Sequence, residues 1–318
     1  MTTRLTATVA RAAIVGRTLV CCWRNCSEIA GRRVMVIALC LWFLPMATFA
    51  QSFRTLEQAN LWYLELETGQ VVIELNDAFA PKTVAQIKRL TRAGVYDGVS
   101  FYRVIDGFVA QAGPGGRPLA PEIQARLGSE QVPGLPMEAV QTWAATRPYM
   151  AVQSPDMFAA HTAFVKGFAA GFNDALNKAW LLHCPGVVGI ARGNAPDSAT
   201  SDFYIVIGQA PRYLDGIMTL FGRVVWGMDK VQAVLRADPM GPGVIPEGEP
   251  QTRILSAAIG SDLPAEAQRK LRVEATETQA FKEKLRARKD REHPFFFKRP
   301  PAVLDACQVP VASTMGEG

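Results

Sequence analysis

Histidine, cysteine and net charge are all scarce over most of this 318-residue chain, and each scarcity argues against a class of protein. The three histidines form neither an H-E-x-x-H motif nor another metal-ligand spacing, and no G-x-S-x-G motif is present. The glycines at 113, 115 and 116 lack the G-x-G-x-x-G register of a dinucleotide site, and no phosphate loop occurs. We therefore expect no metal and no cofactor.

The excess of positive charge is confined to the first 50 residues. They carry six Arg against one Glu, which accounts for the formal charge of +5, while residues 51–318 balance at 28 basic against 28 acidic side chains. We therefore expect no nucleic acid partner. A hydrophobic fraction of 49% predicts a packed core and excludes a wholly disordered chain.

A secretory signal is the interpretation that this basic segment favours. Arg32 and Arg33 precede an apolar run from Val34 to Leu44, and small residues follow as far as Ala50. This order is typical of a signal peptide, here cleaved near Ala50, and it predicts a periplasmic or secreted protein. An uncleaved inner-membrane anchor and a buried core helix stay open, because the segment from Val34 to Ala50 has 17 residues and just reaches the lower limit for a membrane span. A membrane partner is expected only if the segment stays attached.

Two cysteines remain after such a cleavage, Cys184 and Cys307. Secreted proteins favour disulfide formation, so these two can form one bond. They can equally be two unrelated buried thiols, because free cysteine packs as a small apolar group.

Short strands dominate the pattern after residue 60. Alternating apolar residues over 61–66 and 71–75 predict a hairpin, and an amphipathic helix over 81–92 ends before Gly94. Further strands are predicted at residues 100–105, 108–112, 187–191, 203–207, 220–225 and 254–259, and a second helix at 228–236. Many short strands with only two helices favour a mainly β protein built on a closed antiparallel barrel.

Two regions do not fit this barrel pattern. Residues 114–185 form a long insertion with proline breaks and helix-like stretches such as Phe164 to Trp180. The C-terminal tail, residues 263–318, contains a stretch of mixed charge at 264–299 that is typical of a solvated helix. We expect Phe295–Phe297 to pack this tail onto the barrel. The predicted organisation is thus a leader of residues 1–50, a barrel domain of residues 51–262 with its insertion, and a helical tail.

One predicted hairpin places a cation, aromatic rings and an amide close together. By strand alternation Phe101, Arg103 and Ile105 share a face, and Phe108 and Gln111 follow a tight turn. In a hairpin considered without any family resemblance, this arrangement is typical of a surface arginine beside core aromatic residues.

A longer sequence match surrounds these residues. The run from Phe101 to Gly113 resembles the cyclophilin signature F-H-R-V-I-x-G-F-x-x-Q-x-G, with Tyr102 in place of histidine. Two further blocks, at residues 186–205 and 210–229, follow in the family's order, and the chain is most similar to bacterial secreted cyclophilins. The resemblance implies an eight-stranded antiparallel barrel capped by two helices, and peptidyl-prolyl cis-trans isomerase activity.

The resemblance also implies the site residues. Arg103 would be the catalytic arginine, with Gln111 and Phe108 beside it. The residues that would bind the substrate, in a proline pocket or along a peptide groove, are Val109, Ala191, Arg192, Asp202, Tyr204, Tyr213 and Leu214.

Several groove positions differ from residues found in the family: Val109 stands where many members have methionine, Asp202 where glutamine is usual, Tyr213 where tryptophan or another residue is found, and Met218 where some members have histidine. The apolar pocket is therefore retained, while its polar rim is altered. We expect Asp202 to orient Arg103 without abolishing activity.

The expected function is acceleration of X-Pro isomerisation in unfolded or exported polypeptides. Rotation about an X-Pro bond breaks no covalent bond, so no nucleophile is needed. The altered rim favours one alternative, a non-catalytic proline-peptide-binding or chaperone module of the same fold.

Overall fold

The computed structural model describes residues 52–144 and 146–316, and the predicted leader of residues 1–50 lies outside them. In this part of the chain the strands are β1 (Phe53–Thr55), β2 (Leu61–Leu66), β3 (Gly69–Leu75), β4 (Ser100–Ile105), β5 (Val109–Gly113), β6 (Gln141–Thr142), β7 (Met150–Gln153), β8 (His161–Val165), β9 (Phe168–Asn173), β10 (Lys178–Leu181), β11 (Val187–Ile190), β12 (Phe203–Val206), β13 (Leu220–Trp226), β14 (Ile254–Ile259), β15 (Leu271–Glu274) and β16 (Ser313–Met315). Its α-helices are α1 (Pro81–Ala93), α2 (Pro121–Leu127), α3 (Met228–Gln232) and α4 (Gln279–Asp290). None of these helices has both the length and the apolar composition that a membrane crossing requires.

Eight antiparallel strands form a nearly closed barrel, in the order β14-β2-β3-β13-β11-β12-β5-β4. Its two edge strands meet through a bridge between Ser100 and Arg253 and through the Ile254 N–H, which donates to the Val99 carbonyl at 2.7 Å. The interior is filled by buried side chains, among them the rings of Trp62 and Phe203 with centroids 4.8 Å apart in edge-to-face contact. The predicted mainly β barrel is confirmed.

Two helices pack against this core. The hairpin β2–β3 and helix α1 lie where the sequence predicts them, and α1 ends at Gly94, whose φ of 81° suits a residue without a Cβ. Ile87 and Leu90 of α1, and Val231 of α3, belong to the barrel core. Helix α3 is shorter than the predicted helix of residues 228–236 and ends at Gln232.

The start of α1 is capped by a residue from the distant insertion. Its N-cap residue, Ala80, has no side-chain acceptor for the first helical N–H groups. The carboxylate of Glu138 accepts instead from the N–H groups of Lys82 and Thr83, at 3.0 and 2.8 Å, and from the Thr83 hydroxyl at 2.9 Å. A negative charge at a helix N-terminus is favourable, so Glu138 stabilises α1. Its hydrogen bonds also link the insertion to the barrel.

Replacing Glu138 by alanine is expected to lower the free energy of unfolding by about 1–2 kcal/mol, the usual value of a lost helix cap. Urea unfolding followed by circular dichroism measures this change. The matched control is Glu130→Ala, an exposed acidic residue of the same insertion, which should leave the unfolding midpoint in place. Equal midpoints for the two variants would contradict the capping role.

The insertion is a sheet and not a set of helices. Strands β6 to β10 form a five-stranded antiparallel sheet in the order β6-β10-β9-β8-β7. The expectation of a helix from Phe164 to Trp180 is therefore wrong. Lys166 and Gly167, with φ of 47° and 85°, form the two-residue turn of a tight hairpin between β8 and β9. The short helix α2 precedes this sheet.

A second hydrophobic core joins the insertion, the tail and the outer face of the barrel. Along β12, Phe203 and Ile205 point into the barrel, while Tyr204 and Val206 point into this second core. Phe172 of the insertion and Phe281 of the tail are fully buried in it. The insertion and the tail therefore cover this side of the barrel.

The tail is only partly helical. Helix α4 occupies residues 279–290, but residues 271–274 form β15, which pairs with β1 and β16 in a three-stranded sheet. The expected packing of Phe295–Phe297 onto the barrel is wrong, since Phe295 and Phe297 are exposed. The tail is held by other contacts, including a disulfide between Cys184 and Cys307. The structure thus favours the disulfide over two unrelated thiols.

Candidate active site

A β-bulge in β4 decides which side chains reach the outer face of the barrel. Phe101 pairs with Ala112, and Arg103 pairs with Gln111, so that two residues of β4 oppose one residue of β5. Phe101 lies inside the barrel, whereas Tyr102 and Arg103 both make contacts outside it. The expectation that Phe101 and Arg103 share a face is therefore wrong, because the bulge interrupts the alternation.

A chain of hydrogen bonds runs from Arg103 to Asp202. Arg103 Nη1 donates to Gln111 Oε1 at 3.2 Å, and Gln111 Nε2 donates to the hydroxyl of Tyr102. That hydroxyl donates in turn to Asp202 Oδ1 at 3.1 Å. Asp202 thus acts on Arg103 through two intervening side chains, and no ion pair joins the two among the residues that the structure describes.

The acidic end of this chain is held in place by the backbone. Asp202 Oδ1 also accepts the N–H of Gly115 at 2.7 Å. Gly113 has a φ of 140°, and a Cβ there would lie 2.6 Å from the same carboxylate oxygen, so only glycine fits. Burial and the charge of Asp202 raise the pKa of Tyr102, so that its hydroxyl stays protonated and remains a donor.

An apolar surface borders β4, the strand that carries Arg103. Val109 and Tyr204 are buried in the second core, and Phe108, Ala191 and Met218 pack against it half-buried. Tyr204 is the cross-strand partner of Gln111, which places the aromatic wall beside the residue that holds Arg103. Five positions that the resemblance assigns to the pocket or its rim therefore belong to the second core or pack against it.

The structure does not place the other implied groove residues, Tyr213, Leu214 and Arg192, among the side chains of this apolar surface. Tyr213 and Leu214 belong to a short 3-10 turn; Leu214 is half-buried, and Tyr213 is 67% exposed. The side chain of Arg192 does not point at Arg103 or Gln111 but donates to the carbonyls of Ile217 and Gly193. Arg192 thus fixes the loop that follows the turn.

A buried polar chain stands behind the aromatic wall. The hydroxyl of Tyr204 lies 3.0 Å from Nε2 of the fully buried His183, whose Nδ1 lies 2.8 Å from Asp215 Oδ1. Asp215 is in turn paired with Arg212. Burial and the charge of Asp215 raise the pKa of Tyr204. This series of hydrogen bonds fixes the rotamer of the Tyr204 ring.

Sequence reasoning did not identify Tyr102, His183 and Asp215 as parts of the site. Tyr102 was noted only as a departure from the family signature, and His183 only as lacking a metal-ligand spacing. The signal that could have revealed His183 is the phenolic hydroxyl of Tyr204, which needs a partner when it is buried. Within residues 52–144 and 146–316 no group of three or more His, Cys, Asp or Glu side chains converges as metal ligands would.

The arrangement presents hydrogen-bond donors beside an apolar surface. Arg103 carries five N–H donors, and Gln111 is its one recorded hydrogen-bond partner among the described residues. A substrate can meet the other N–H groups and contact the half-buried Phe108, Ala191 and Met218, whereas Val109 and Tyr204 are buried in the second core. Such a site can bind a ring-shaped apolar group and donate to a polar atom next to it.

Comparison with known proteins gives a consistent result. Residues 62–254 match the family model described as "Cyclophilin type peptidyl-prolyl cis-trans isomerase/CLD". A probable peptidyl-prolyl cis-trans isomerase of Brucella suis is 32% identical over 212 residues, which is 67% of this chain and 88% of that protein. The Schizosaccharomyces pombe peptidyl-prolyl cis-trans isomerase ppi1 is 29% identical over 180 residues, 55% of this chain and 87% of that protein. The crystal structure of cyclophilin AquaCyp293 from Hirschia baltica superposes with a TM-score of 0.65 at 28% identity, covering 83% of this chain and 94% of that one.

Proposed function

Because the chain belongs to the cyclophilin-type peptidyl-prolyl cis-trans isomerases, we propose that it isomerises X-Pro bonds by a hydrogen bond from Arg103 to the twisted prolyl amide. The single observation that carries this mechanism is the position of Arg103, which Gln111 holds beside the apolar surface of Val109 and Tyr204. Its substrates are proline-containing polypeptides.

The reaction needs stabilisation of a twisted amide and no bond cleavage. Rotation about the peptide bond loses amide resonance and has a barrier of about 18–20 kcal/mol, so that an uncatalysed X-Pro bond takes tens to hundreds of seconds to isomerise. In the twisted state the prolyl nitrogen regains a lone pair. A donor that meets this lone pair stabilises the transition state and not the planar ground state, which is what catalysis requires.

The residues around Arg103 make this donor effective. Arginine stays protonated at any working pH, and its link to Gln111 restricts its orientation. The half-buried side chains of Phe108 and Met218 contact the prolyl ring, exclude water and lower the local dielectric constant, which strengthens a charged hydrogen bond. A thousandfold acceleration requires about 4 kcal/mol, which one charge-assisted hydrogen bond together with immobilisation of the substrate can supply.

The test of the proposed function is an isomerisation assay on a short peptide. Exchange between the cis and trans forms of Gly-Ala-Pro-Gly is measured by nuclear magnetic resonance, with and without the purified protein. We expect the exchange rate to rise in proportion to protein concentration. Binding of the peptide without faster exchange would identify a proline-peptide-binding module instead.

Asp202→Gln is expected to lower kcat/KM about fivefold without abolishing activity. The substitution removes the charged acceptor of Tyr102, and a hydrogen bond of this kind contributes on the order of 1 kcal/mol. Tyr102→Phe breaks the same link and should give a similar loss. Asp229→Asn, an exposed residue that pairs with Lys230, serves as the unchanged control. A large gain in rate for Asp202→Gln would show that the carboxylate opposes catalysis.

We further propose that the protein acts on exported polypeptides in the periplasm. The apolar segment of residues 34–44 supports export, and the Cys184–Cys307 disulfide suits an oxidising compartment. The mass of the protein recovered from a periplasmic fraction tests the proposal: cleavage near Ala50 is expected, and an intact chain in the membrane fraction would indicate an anchor.

A further inference from the structure

A large cavity lies next to the proposed proline site, on the side where the insertion and the tail meet the barrel. Its volume is about 820 Å³, which is within the range of ligand-binding sites. The barrel contributes Phe108 and Tyr213 to its walls, the insertion contributes Met157 and Phe158, and the tail contributes Val303 among others. The cavity is therefore continuous with two residues of the proposed site but is built largely from regions outside the barrel.

Exposed apolar side chains are concentrated around this cavity. Met157 is 87% exposed and Phe158 is 45% exposed, and both line it beside the exposed Tyr213 and Val303. Single exposed apolar residues are common on protein surfaces, but a cluster of them around a concave surface marks an interaction site.

The walls of the cavity are fixed to one another by a buried arginine. Arg212 Nη2 donates to Asp156 of the insertion at 2.7 Å, and Nη1 lies 3.6 Å from Asp305 of the tail. The same guanidinium pairs with Asp215 and lies 5.4 Å from the ring centroid of Phe158. The disulfide between Cys184 and Cys307 adds a covalent link between the end of the insertion and the tail. The cavity is thus held open before any ligand binds, which reduces the entropy cost of binding.

The charges of the cavity limit what it can bind. Arg212 is the one cation among its lining residues, and it is shared by three carboxylates, those of Asp156, Asp215 and Asp305. No cation is left to pair with an acidic ligand group at this lining. An uncharged apolar side chain suits the cavity, and an acidic one is disfavoured.

We propose that this cavity binds a large apolar side chain of the polypeptide substrate, at a position flanking the proline that is bound next to Phe108. This inference rests on the proposed function, because the continuity of the cavity with Phe108 and Tyr213 is what identifies its occupant. The insertion and the tail then select, among proline-containing chains, those with an aromatic or long aliphatic residue near the proline.

The test uses a series of peptides with one central proline in a glycine and serine background. A single phenylalanine is moved through each position on both sides of the proline, with serine and glutamate at the same positions for comparison. Fluorescence anisotropy gives the affinity, and nuclear magnetic resonance exchange gives kcat/KM. We expect one register in which phenylalanine binds about tenfold more tightly than serine, while glutamate gives no gain.

Variants of the exposed lining residues assign this gain to the cavity. In the double variant Met157→Ser/Phe158→Ser the phenylalanine-to-serine affinity ratio should fall from about tenfold to less than about threefold. Leu176→Ser is the matched control, because Leu176 is an exposed apolar residue of the same insertion that does not line the cavity, and it should keep the full ratio.

Three results would overturn the inference. The first is the absence of a preferred register, and the second is a ratio unchanged in the double variant. The third is self-association of the chain that the double variant abolishes without any change in peptide affinity, which would assign the cavity to a second copy. Exchange measured on the serine peptides reports on the proposed isomerase function separately, and the affinities remain informative whether or not exchange is accelerated.

Discussion

Arg103→Ala should lower kcat/KM for a short proline peptide by 100- to 1000-fold, on the order of what removal of one preorganised transition-state donor costs in enzymes. Alanine removes every N–H group that can meet the prolyl nitrogen, and the apolar wall of Val109 and Tyr204 remains. Substrate binding should therefore suffer less than turnover. Nuclear magnetic resonance exchange measures kcat/KM, and fluorescence anisotropy with the same peptide measures its affinity.

Two controls separate this loss from unfolding or from a change in overall charge. Arg103 is only half-buried and its recorded partner is Gln111, so the variant should keep the urea midpoint of the parent protein. Arg286→Ala removes an arginine that is 82% exposed on α4 and should leave turnover unchanged. Turnover within twofold of the parent for Arg103→Ala would refute the catalytic assignment.

Loss of the Cys184–Cys307 disulfide is expected to lower the free energy of unfolding by about 3–4 kcal/mol. The bond joins residues 123 positions apart, and a cross-link over so long a loop removes much of the conformational freedom of the unfolded chain. It also fixes the segment that carries Leu304 and Ala306 into the second core. Urea unfolding with and without a thiol reductant measures the effect.

The reductant itself must be shown to act through this bond. The double variant Cys184→Ser/Cys307→Ser should match the reduced parent protein, and its midpoint should not respond to reductant. A reduced parent protein that unfolds at the same urea concentration as the oxidised one would show that the second core holds the tail without the bond.

The parts of the barrel that sequence predicts well are those in which local pattern and tertiary structure agree. Strands β2 and β3 alternate cleanly, and α1 has an apolar face and a glycine stop at Gly94. The bulge at Tyr102 could not be predicted, because it is set by the pairing of β4 with β5 and not by the residues of β4 alone. That one extra residue is what brings Tyr102 and Arg103 to the same side of the barrel.

The insertion shows how a strand pattern can resemble a helix. Phe164, Phe168 and Phe172 recur every four residues, which is helical spacing, yet the turn at Lys166 and Gly167 falls between the first two. In the folded hairpin all three rings lie in the second core. In the sequence, the Lys-Gly pair is the only local sign of this turn, because glycine readily adopts a positive φ.

The site residues were predictable to the extent that they lie in the barrel. Arg103, Gln111, Val109 and Tyr204 do come together, whereas the hydrogen-bond chain through Tyr102 depends on the bulge. The roles of these residues stay predictions until the variants are measured. The cavity beside Phe108 could not be predicted from sequence, because its walls come from segments far apart in the chain.

The second core has a consequence for how this protein can be shortened. The barrel strands β5, β12 and β13 bury apolar side chains on both faces, since Val109, Val206 and Leu220 pack outward against the insertion and the tail. A protein trimmed to residues 62–254 would lack Phe281, Leu285 and Leu304 and would leave part of this outer face bare to solvent. Exposed patches of that kind promote aggregation, so we expect a protein trimmed to the boundaries of the family match to be less stable and less soluble than the longer one.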